Sequence, residues 1–260
     1  MATSAPDRSA GLLRYGIEAP YVPAALGAGA LVCLVLAGLS RFWVWALVGL
    51  VLLAQTVVFL NTTLRGKLRI WEAELDRLAL RGDERLLDLG CGRGAVLIAA
   101  AQRLPRGRAE GVDLWRSRDQ SGNDPETTRH NAVAAGVADR VELHTADLAA
   151  LPFPDDTFDV VTSALAIHNI PDAAQREQAV REAVRVLRPG GRLAVADISH
   201  TGDYATVLRS IATDVTTRGL GPGYWYAGPW MAARMVTAVK PGAEPRETRP
   251  TAERPPTPEP

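Results

Sequence analysis

Residues 86–94 read Leu-Leu-Asp-Leu-Gly-Cys-Gly-Arg-Gly, the most informative stretch of the chain. Its apolar start is typical of a buried strand. Three glycines follow at alternate positions, Gly90, Gly92 and Gly94, and residues 95–104 have the composition of a helix. Glycine lets the main chain turn tightly and approach a ligand closely, and the start of a helix offers free N–H groups. The stretch therefore predicts a strand–loop–helix unit that cradles a nucleotide-like cofactor.

Two carboxylates accompany this loop. Asp88 lies two residues before the first glycine, and Asp113 ends a second predicted strand over residues 109–114. A carboxylate about twenty residues after such a loop is typical of a ribose-binding residue. Asp113 has no apparent partner in its strand, so we expect it to accept both ribose hydroxyls; a solvated charge at the strand end is the alternative. The glycine spacing also fits the dinucleotide fingerprint, so a Rossmann NAD(P)-dependent oxidoreductase stays open as an alternative.

Two further stretches carry a family resemblance. Residues 151–161 read Leu-Pro-Phe-Pro-Asp-Asp-Thr-Phe-Asp-Val-Val, and residues 186–193 read Val-Leu-Arg-Pro-Gly-Gly-Arg-Leu. With the glycine loop, they resemble the class I S-adenosylmethionine-dependent methyltransferases, in the type 11 branch that contains the quinone C-methyltransferases. The resemblance covers roughly residues 85–240. It implies an α/β fold, a Rossmann-like seven-stranded sheet with helices on both faces, and S-adenosylmethionine as cofactor.

The resemblance also implies the residues of the cofactor site. Leu114 and Trp115 are placed to sandwich the adenine, and core packing is an equal alternative for Trp115. Asp147 matches the position that meets the adenine edge, and capping the next turn is its alternative. The whole predicted cofactor-binding set is Asp88, Gly90, Cys91, Gly92, Gly94, Asp113, Leu114, Trp115, Ala146, Asp147, Leu148 and Ser163.

The predicted acceptor side follows the fourth strand, residues 158–164. Ligands of open α/β sheets bind outside the carboxyl ends of the strands, so residues 163–168 are expected to face the transferable methyl group. His168 is the candidate general base, and a structural histidine bonded to the loop backbone is the alternative. Asn169, Tyr224, Trp225 and Tyr226 are the predicted substrate pocket; for the aromatic residues, packing of the loop on the sheet is the alternative.

The other predicted elements follow from periodicity and turn residues. Residues 116–124 form a polar loop that either covers the cleft, binds a polar substrate group or is a solvated surface loop. Residues 189–191 are predicted to be a tight turn, and residues 67–80 an amphipathic helix. The remaining predicted helices cover residues 125–135, 171–187 and 203–212; the remaining predicted strands cover residues 85–89, 141–145, 192–198, 215–217 and 234–239, the last of them inserted antiparallel as in the family.

Two apolar runs precede the catalytic domain. Residues 22–39 and residues 42–60 carry no charge, and each is long enough to cross a bilayer as a helix. They predict a two-helix transmembrane hairpin that turns at Ser40 and Arg41, with Trp43 and Trp45 at the far interface. Ala25 and Gly29 are predicted to let the two helices approach closely.

Other readings of these runs lead to different topologies. A cleaved signal peptide would export a domain that needs a cytosolic cofactor. A re-entrant hairpin that dips into one leaflet stays open because the turn is short. In both hairpin arrangements Arg8, Arg14, Arg65, Lys67 and Arg69 lie on one side and only Arg41 lies in the turn, which places the catalytic domain in the cytoplasm.

Composition excludes several classes. Among 260 residues the formal net charge is zero, which gives no basic excess for nucleic acid. Two cysteines, Cys33 and Cys91, predict no disulfide framework and no metal-thiolate cluster, and no metal is expected in the site. The predicted segments are residues 1–21 (cytoplasmic), 22–60 (hairpin), 61–84 (linker and amphipathic helix), 85–240 (methyltransferase domain) and 241–260 (proline-rich disordered tail).

Together these features predict a membrane-anchored methyltransferase. Its acceptor is expected to be a small, lipophilic molecule reached from the bilayer through the hairpin. The alternatives are a non-catalytic module that binds S-adenosylmethionine or serves as a membrane scaffold, and the oxidoreductase named above.

Overall fold

The computed structural model describes residues 14–242. Arg8, most of the predicted segment 1–21 and most of the predicted tail 241–260 lie outside the described residues. The α-helices are α1 (Tyr21–Ser40), α2 (Trp43–Asn61), α3 (Lys67–Arg77), α4 (Ala95–Gln102), α5 (Pro125–Ala134), α6 (Ala173–Arg185) and α7 (Thr201–Ile211). The strands are β1 (Arg85–Leu89), β2 (Arg108–Asp113), β3 (Val141–Thr145), β4 (Phe158–Ala164), β5 (Leu187–Asp197), β6 (Thr213–Gly219) and β7 (Arg234–Val239).

The seven strands form one sheet in the order β3-β2-β1-β4-β5-β7-β6. Strands β1 to β5 are parallel, and β7 lies antiparallel between β5 and β6. The predicted fold class and the inserted antiparallel strand are therefore confirmed. Strand β1 lies between β2 and β4, and the chain crosses over to these two strands in opposite directions. A crevice therefore opens beyond the carboxyl end of β1.

Alternate residues of the central strands supply two hydrophobic cores, one on each face of the sheet. Leu86 and Val160 belong to the core that packs under α3, α4 and α5. Leu87 and Val161 belong to the core under α6 and α7. All four side chains are fully buried. Burial on both faces explains why the run before the glycine loop is continuously apolar.

The predicted tight turn at residues 189–191 is wrong, because strand β5 begins at Leu187 and runs through it. Gly190 has a positive φ of 77°, and its N–H donates to the carbonyl of Lys240. The N–H of Lys240 in turn donates to the carbonyl of Gly191. These partners from the end of β7 keep the segment in the sheet as an irregular stretch, and the register against β4 shifts at this point.

The two apolar runs form the antiparallel helices α1 and α2, each long and apolar enough to cross a membrane. Arg41 has a left-handed conformation with a φ of 55° and ends α1 by donating its N–H to Ala37. Most of the hairpin surface is apolar and exposed, including Leu31, Val35 and Leu50. Neither helix is therefore a core helix of the domain.

Close approach of the hairpin helices uses a different pair of small residues from the predicted one. Ala25 is exposed, whereas Ala30 is buried. A Cβ on Gly49 of α2 would meet Leu34 at 2.8 Å and the carbonyl of Ala30 at 3.2 Å. Gly29 lies within reach of Leu52, so only part of the predicted small-residue contact is present.

The predicted linker after the hairpin is also different in the structure. Helix α2 passes through a π-helical turn, Thr62–Gly66, directly into α3, so one continuous helix covers residues 43–77. Gly66 allows a close approach here, because its Cα packs on the backbone of Gly223. Thr62 Oγ1 donates to the carbonyl of Trp225 at 2.6 Å. The base of the hairpin is thus bonded to the loop between β6 and β7.

Candidate active site

The glycine loop turns directly after β1 and is tied to β2. Gly90, Gly92 and Gly94 have positive φ values of 69°, 50° and 85°. The N–H groups of Gly90 and Cys91 donate to the carbonyl of Val112 at 2.8 and 3.1 Å. A Cβ on Gly90 would overlap the side chain of Ala166. The loop therefore needs glycine both for its conformation and for space, and it presents bare main chain to the cleft in front of it.

Asp113 organises this loop from the end of β2. Its Oδ2 accepts from the N–H of Gly92 at 2.9 Å. Its Oδ1 accepts from the N–H of Trp115 at 2.7 Å and from Asn123 Nδ2 at 3.2 Å. The carboxylate thus has partners that the sequence does not indicate. About four lone-pair sites are available on a carboxylate, so some accepting capacity is left for a ligand.

Asp88 lies beneath the loop and is only 1% exposed. Thr162 Oγ1 donates to its Oδ1 at 2.8 Å. Burial raises the pKa of Asp88 to about 7, and the hydrogen bond from Thr162 opposes this shift. A ligand ammonium group beside it would favour the charged carboxylate, since an opposite charge lowers the pKa of an acid.

These groups face a cleft that we call the glycine-loop cleft, lined also by Ala95, Gln120 and Ala166. The structure brings eight of the twelve predicted cofactor-site residues to its wall. They are Asp88, Gly90, Cys91, Gly92, Asp113, Leu114, Asp147 and Leu148. Bare main chain, a strand-end carboxylate and a buried carboxyl together suit a ligand that carries a ribose and an ammonium group.

The other four predicted residues lie beside the cleft and do not form part of its described wall. Gly94 precedes α4 as its N-cap. Trp115 has a φ of 57° and donates from Nε1 to Thr145 Oγ1 at 2.8 Å. Ala146 packs against the core under α6 and α7. Ser163 is fully buried and donates to the carbonyl of Leu89 at 3.1 Å.

The polar loop after β2 covers the glycine loop. Gln120 Oε1 accepts from the N–H of Arg93 at 2.9 Å, and Gln120 Nε2 donates to the carbonyl of Tyr15 at 3.0 Å. The N–H of Ala19 donates to the carbonyl of Asp119, and that of Ser121 to the carbonyl of Ile17. The segment before α1 therefore pairs with this loop and closes one side of the cleft.

Glu18 and Lys67 are wall residues that the sequence analysis does not include in the site. The two side chains form an ion pair, and Thr63 Oγ1 donates to the other carboxylate oxygen of Glu18. Lys67 is only 4% exposed, and both residues line the glycine-loop cleft. One signal was present in the sequence: Lys67 is one of only two lysines in a chain whose positive charge is nearly all arginine.

A second space, the junction cavity, lies between the hairpin base and the domain. Its wall includes Tyr21, Val22 and Phe59 from the hairpin and His168, Asn169, Ile198, Tyr226 and Met231 from the domain, together with Arg118. Four residues, Glu18, Asp119, Leu165 and Asn169, line both this cavity and the glycine-loop cleft. The two spaces are therefore neighbours that share part of their walls.

His168 lies in a short 3-10 turn, Ile167–Asn169, after β4. Its ring Nδ1 lies 2.5 Å from Asp197 Oδ1, and its main-chain N–H donates to Asp197 Oδ2 at 3.1 Å. Burial lowers the pKa of His168, but the hydrogen bond and charge of Asp197 outweigh it and raise the pKa above its usual value. Because Nδ1 faces Asp197, Nε2 is the ring nitrogen left for a substrate.

The three predicted aromatic pocket residues have different environments. Tyr224 is fully buried, and its hydroxyl accepts from Trp71 Nε1 at 3.3 Å. Trp225 bonds through its carbonyl to Thr62 at the hairpin base. Only Tyr226 lines the junction cavity, where Asn169 joins it. Tyr224 and Trp225 hold the loop in place instead of forming the cavity wall.

Glu110, Glu142 and His144 lie together on the neighbouring strands β2 and β3. Arg85 Nη2 already donates to Glu110 at 2.6 Å. The cluster lies apart from both spaces, and the described residues supply no further indication of a metal.

Comparison with known proteins agrees with this geometry. Residues 87–195 match the family described as "Methyltransferase domain". The chain is 41% identical over 132 residues to the ubiquinone/menaquinone biosynthesis C-methyltransferase UbiE of Roseobacter denitrificans, a match that covers 50% of this chain and 49% of the relative. It is also 41% identical over 128 residues to the 27-O-demethylrifamycin SV methyltransferase of Amycolatopsis mediterranei, covering 47% of this chain and 43% of the relative.

A solved structure of geranyl diphosphate methyltransferase in complex with S-adenosylmethionine has the same fold, with a TM-score of 0.54 at 17% identity, covering 71% of this chain and 88% of that one. The sheet order is that of the class I methyltransferase fold, and residues 87–195 are similar to the methyltransferase family. The chain spans about half the length of the curated relatives it matches. The family match, residues 87–195, begins after the hairpin that precedes the domain.

Proposed function

We propose that the chain is a membrane-anchored methyltransferase that transfers a methyl group from S-adenosylmethionine to a small, lipophilic acceptor. The observation that carries the proposal is the adjacency of the glycine-loop cleft and the junction cavity at the base of the apolar hairpin. The names of two relatives support this proposal, since one is a C-methyltransferase of ubiquinone/menaquinone biosynthesis and the other is a 27-O-demethylrifamycin SV methyltransferase. A cofactor on one side and an acceptor entering from the membrane on the other would meet between these spaces.

The residues of the glycine-loop cleft fit S-adenosylmethionine. The bare backbone of Gly90 and Gly92 accommodates a close ligand, Asp113 retains accepting capacity for ribose hydroxyls, and Asp88 suits the methionyl ammonium group. When bound, S-adenosylmethionine supplies a methyl group on a sulfonium sulfur, which retains the bonding electron pair as the methyl group leaves.

The chain's own contribution to transfer is alignment and proton removal. Holding donor and acceptor in line at short range supplies much of the rate enhancement of such a displacement. Where the acceptor atom carries a proton, His168 Nε2 takes it while Asp197 stabilises the resulting imidazolium. Neutral imidazole is the active form, so a raised pKa moves the rising limb of activity to higher pH.

Transfer and the role of His168 can be tested in one assay. Detergent-purified full-length protein is incubated with S-adenosylmethionine carrying a tritiated methyl group and with a total lipid extract of the source membrane. We expect solvent-extractable label from the wild type, with a rate that rises as pH passes through the raised pKa of His168. His168→Asn is expected to bind S-adenosylmethionine normally and to transfer at least about a hundredfold more slowly, without that pH dependence.

Two results would contradict parts of this proposal. Bound S-adenosylmethionine with no extractable label would exclude a lipid acceptor and favour a non-catalytic module or a soluble acceptor. An unchanged rate and pH profile in His168→Asn would exclude the histidine as the base while leaving the transfer itself in place.

We also propose that α1 and α2 span the bilayer with the catalytic domain on the cytoplasmic side. At 1.5 Å per residue each helix is about 30 Å long, which matches the hydrocarbon core. Arg14, Arg65 and Arg69 lie near the base of the hairpin, whereas Arg41 lies at its tip. This distribution follows the positive-inside rule.

A cysteine placed at the hairpin tip tests this topology. Cys33 and Cys91 are buried, so background labelling by a membrane-impermeant thiol reagent is expected to be low. Arg41→Cys is expected to react only in right-side-out vesicles, and Val133→Cys, an exposed position of α5, only in inverted vesicles. Labelling of both variants from the same side would indicate a re-entrant hairpin. Labelling of both in the soluble fraction would exclude membrane anchoring.

A further inference from the structure

We propose that the junction cavity is the acceptor site and that it takes an uncharged amphiphile whose ring-sized head carries a hydroxyl or carbonyl oxygen. This inference rests on the proposed methyl transfer and makes the hairpin part of the active site as well as the anchor. The cavity, its charges, an unpaired hydroxyl and its place at the hairpin base each contribute to the argument.

The hairpin supplies one wall of the cavity. Val22 lies in the first turn of α1 and Phe59 in the last turn of α2, so both helices contribute at the end nearest the domain. Tyr226 packs edge-on against Phe59, with ring centroids 5.0 Å apart. The cavity has a volume of about 260 Å³. Since about 150 Å³ suffices for benzene, a substituted ring fits.

The charges around the cavity disfavour an anionic head. Each cation in its described wall already has a carboxylate partner: Arg118 Nε lies 3.3 Å from Asp119, and His168 lies beside Asp197. The Glu18 carboxylate is in turn balanced by Lys67. A phosphate headgroup would bring negative charge into a space that offers it no unpaired cation among residues 14–242, at the cost of its desolvation.

One polar group in the wall has no partner. Tyr226 is only 3% exposed, and its hydroxyl lies beside Glu18 and Thr63 but makes no hydrogen bond of good geometry among residues 14–242. Burial raises the pKa of Tyr226, and the nearby charge of Glu18 adds to the shift, so the hydroxyl keeps its proton at neutral pH. An unpaired buried hydroxyl costs about 1–3 kcal/mol. A ligand oxygen within the cavity would satisfy it, which is why the head is expected to carry one.

The position of the cavity gives the amphiphile its tail. Tyr21 at the rim is exposed, and the apolar surfaces of α1 and α2 begin just beyond it. In a bilayer that contains the hairpin, the helix ends lie at the membrane surface. A head bound between Val22, Phe59 and Tyr226 therefore leaves its tail among the lipid chains, so the molecule need not leave the membrane.

The test uses two probes with the same tail and different heads, 4-dodecylphenol and dodecyl phosphate. Each competes with a photoreactive diazirine derivative of dodecylphenol for the full-length protein in detergent micelles, and labelled peptides are mapped by mass spectrometry. We expect label on the peptides that carry Val22, Phe59 or Met231, displaced by dodecylphenol at concentrations at least about tenfold lower than by dodecyl phosphate.

Two neighbouring tyrosines provide matched variants. Tyr226→Phe is expected to weaken dodecylphenol binding about two- to tenfold and to leave the thermal midpoint unchanged or higher, since it removes an unpaired hydroxyl. Tyr224→Phe is expected to lower the midpoint, because its hydroxyl bonds Trp71, and to leave probe binding unchanged. A purely structural role for Tyr226 would reverse this pattern.

Equal competition by the two probes, label elsewhere on the protein, or unchanged binding in Tyr226→Phe would overturn the assignment of the cavity. S-adenosylmethionine binding is measured on the same samples by calorimetry. Normal cofactor binding with no preference between probes would refute this inference alone, whereas loss of cofactor binding by the wild type would refute the proposed function.

Discussion

Replacing Asp113 with alanine is expected to lower the affinity for S-adenosylmethionine by at least about a hundredfold. The carboxylate is bonded to the N–H groups of Gly92 and Trp115, so its loss releases the glycine loop from the end of β2. The same change removes the proposed acceptor of the ribose hydroxyls. A hydrogen bond to a charged group contributes about 1.5–3 kcal/mol, and two of them exceed the 2.7 kcal/mol that a hundredfold change requires.

The loop and ribose contributions of Asp113 can be separated with two ligands. Calorimetry compares S-adenosylhomocysteine with an analogue that lacks both ribose hydroxyls, in the wild type and in Asp113→Ala. We expect the wild type to bind the analogue at least about a hundredfold more weakly and the variant to bind both ligands about equally. Discrimination that persists in the variant would place the ribose elsewhere.

Asp172→Ala is the matched control for loss of an aspartate that bonds the backbone. Asp172 accepts from the N–H of Gln175 as the N-cap of α6, and it lies outside the described walls of both spaces. Its replacement is expected to lower stability by about 1 kcal/mol and to leave cofactor affinity unchanged. Weaker binding in this control would show that general destabilisation, and not Asp113, explains the first result.

Local patterns in the sequence were sufficient to predict the strands of the sheet and the position of the glycine loop. Four predicted strands, residues 85–89, 141–145, 158–164 and 234–239, have the predicted bounds, because burial and turn residues mark both ends of each. Glycine spacing located the turn at residues 90–94, where all three glycines have positive φ values.

Features that depend on distant partners could not be read from local patterns. Strand β5 includes residues 189–191 because Lys240, about fifty positions later, supplies the hydrogen bonds. Glu18 reaches Lys67 only after the hairpin has brought residues 49 positions apart together. Glycine inside a helical pattern usually disfavours the helix. Here the helix continues through Gly66, and the missing side chain leaves room for the backbone of Gly223.

Among substitutions that add one methyl group at the hairpin base, Gly66→Ala is expected to lower the thermal stability most. Its Cβ would overlap the backbone oxygen of Gly223, and backbone on both sides leaves no flexible side chain to move away. The helix must then separate from the loop that carries Tyr224 and Tyr226, which also strains the bond between Thr62 and Trp225. Overpacking of this kind costs about 3 kcal/mol, which corresponds to a thermal midpoint lower by roughly 6–12 °C.

Gly202→Ala is the control, because nothing lies within 4 Å of the added Cβ and the position is in α7. It is expected to leave the midpoint unchanged or slightly higher, since alanine favours helix over glycine. Gly66→Ala should also lose most of the dodecylphenol labelling at the junction cavity and retain measurable cofactor binding, because Asp88, the glycine loop and Asp113 are not displaced directly. Equal midpoints for the two variants would mean that the helix of the hairpin does not pack on the β6–β7 loop, and the acceptor site proposed at that junction would lose one of its walls.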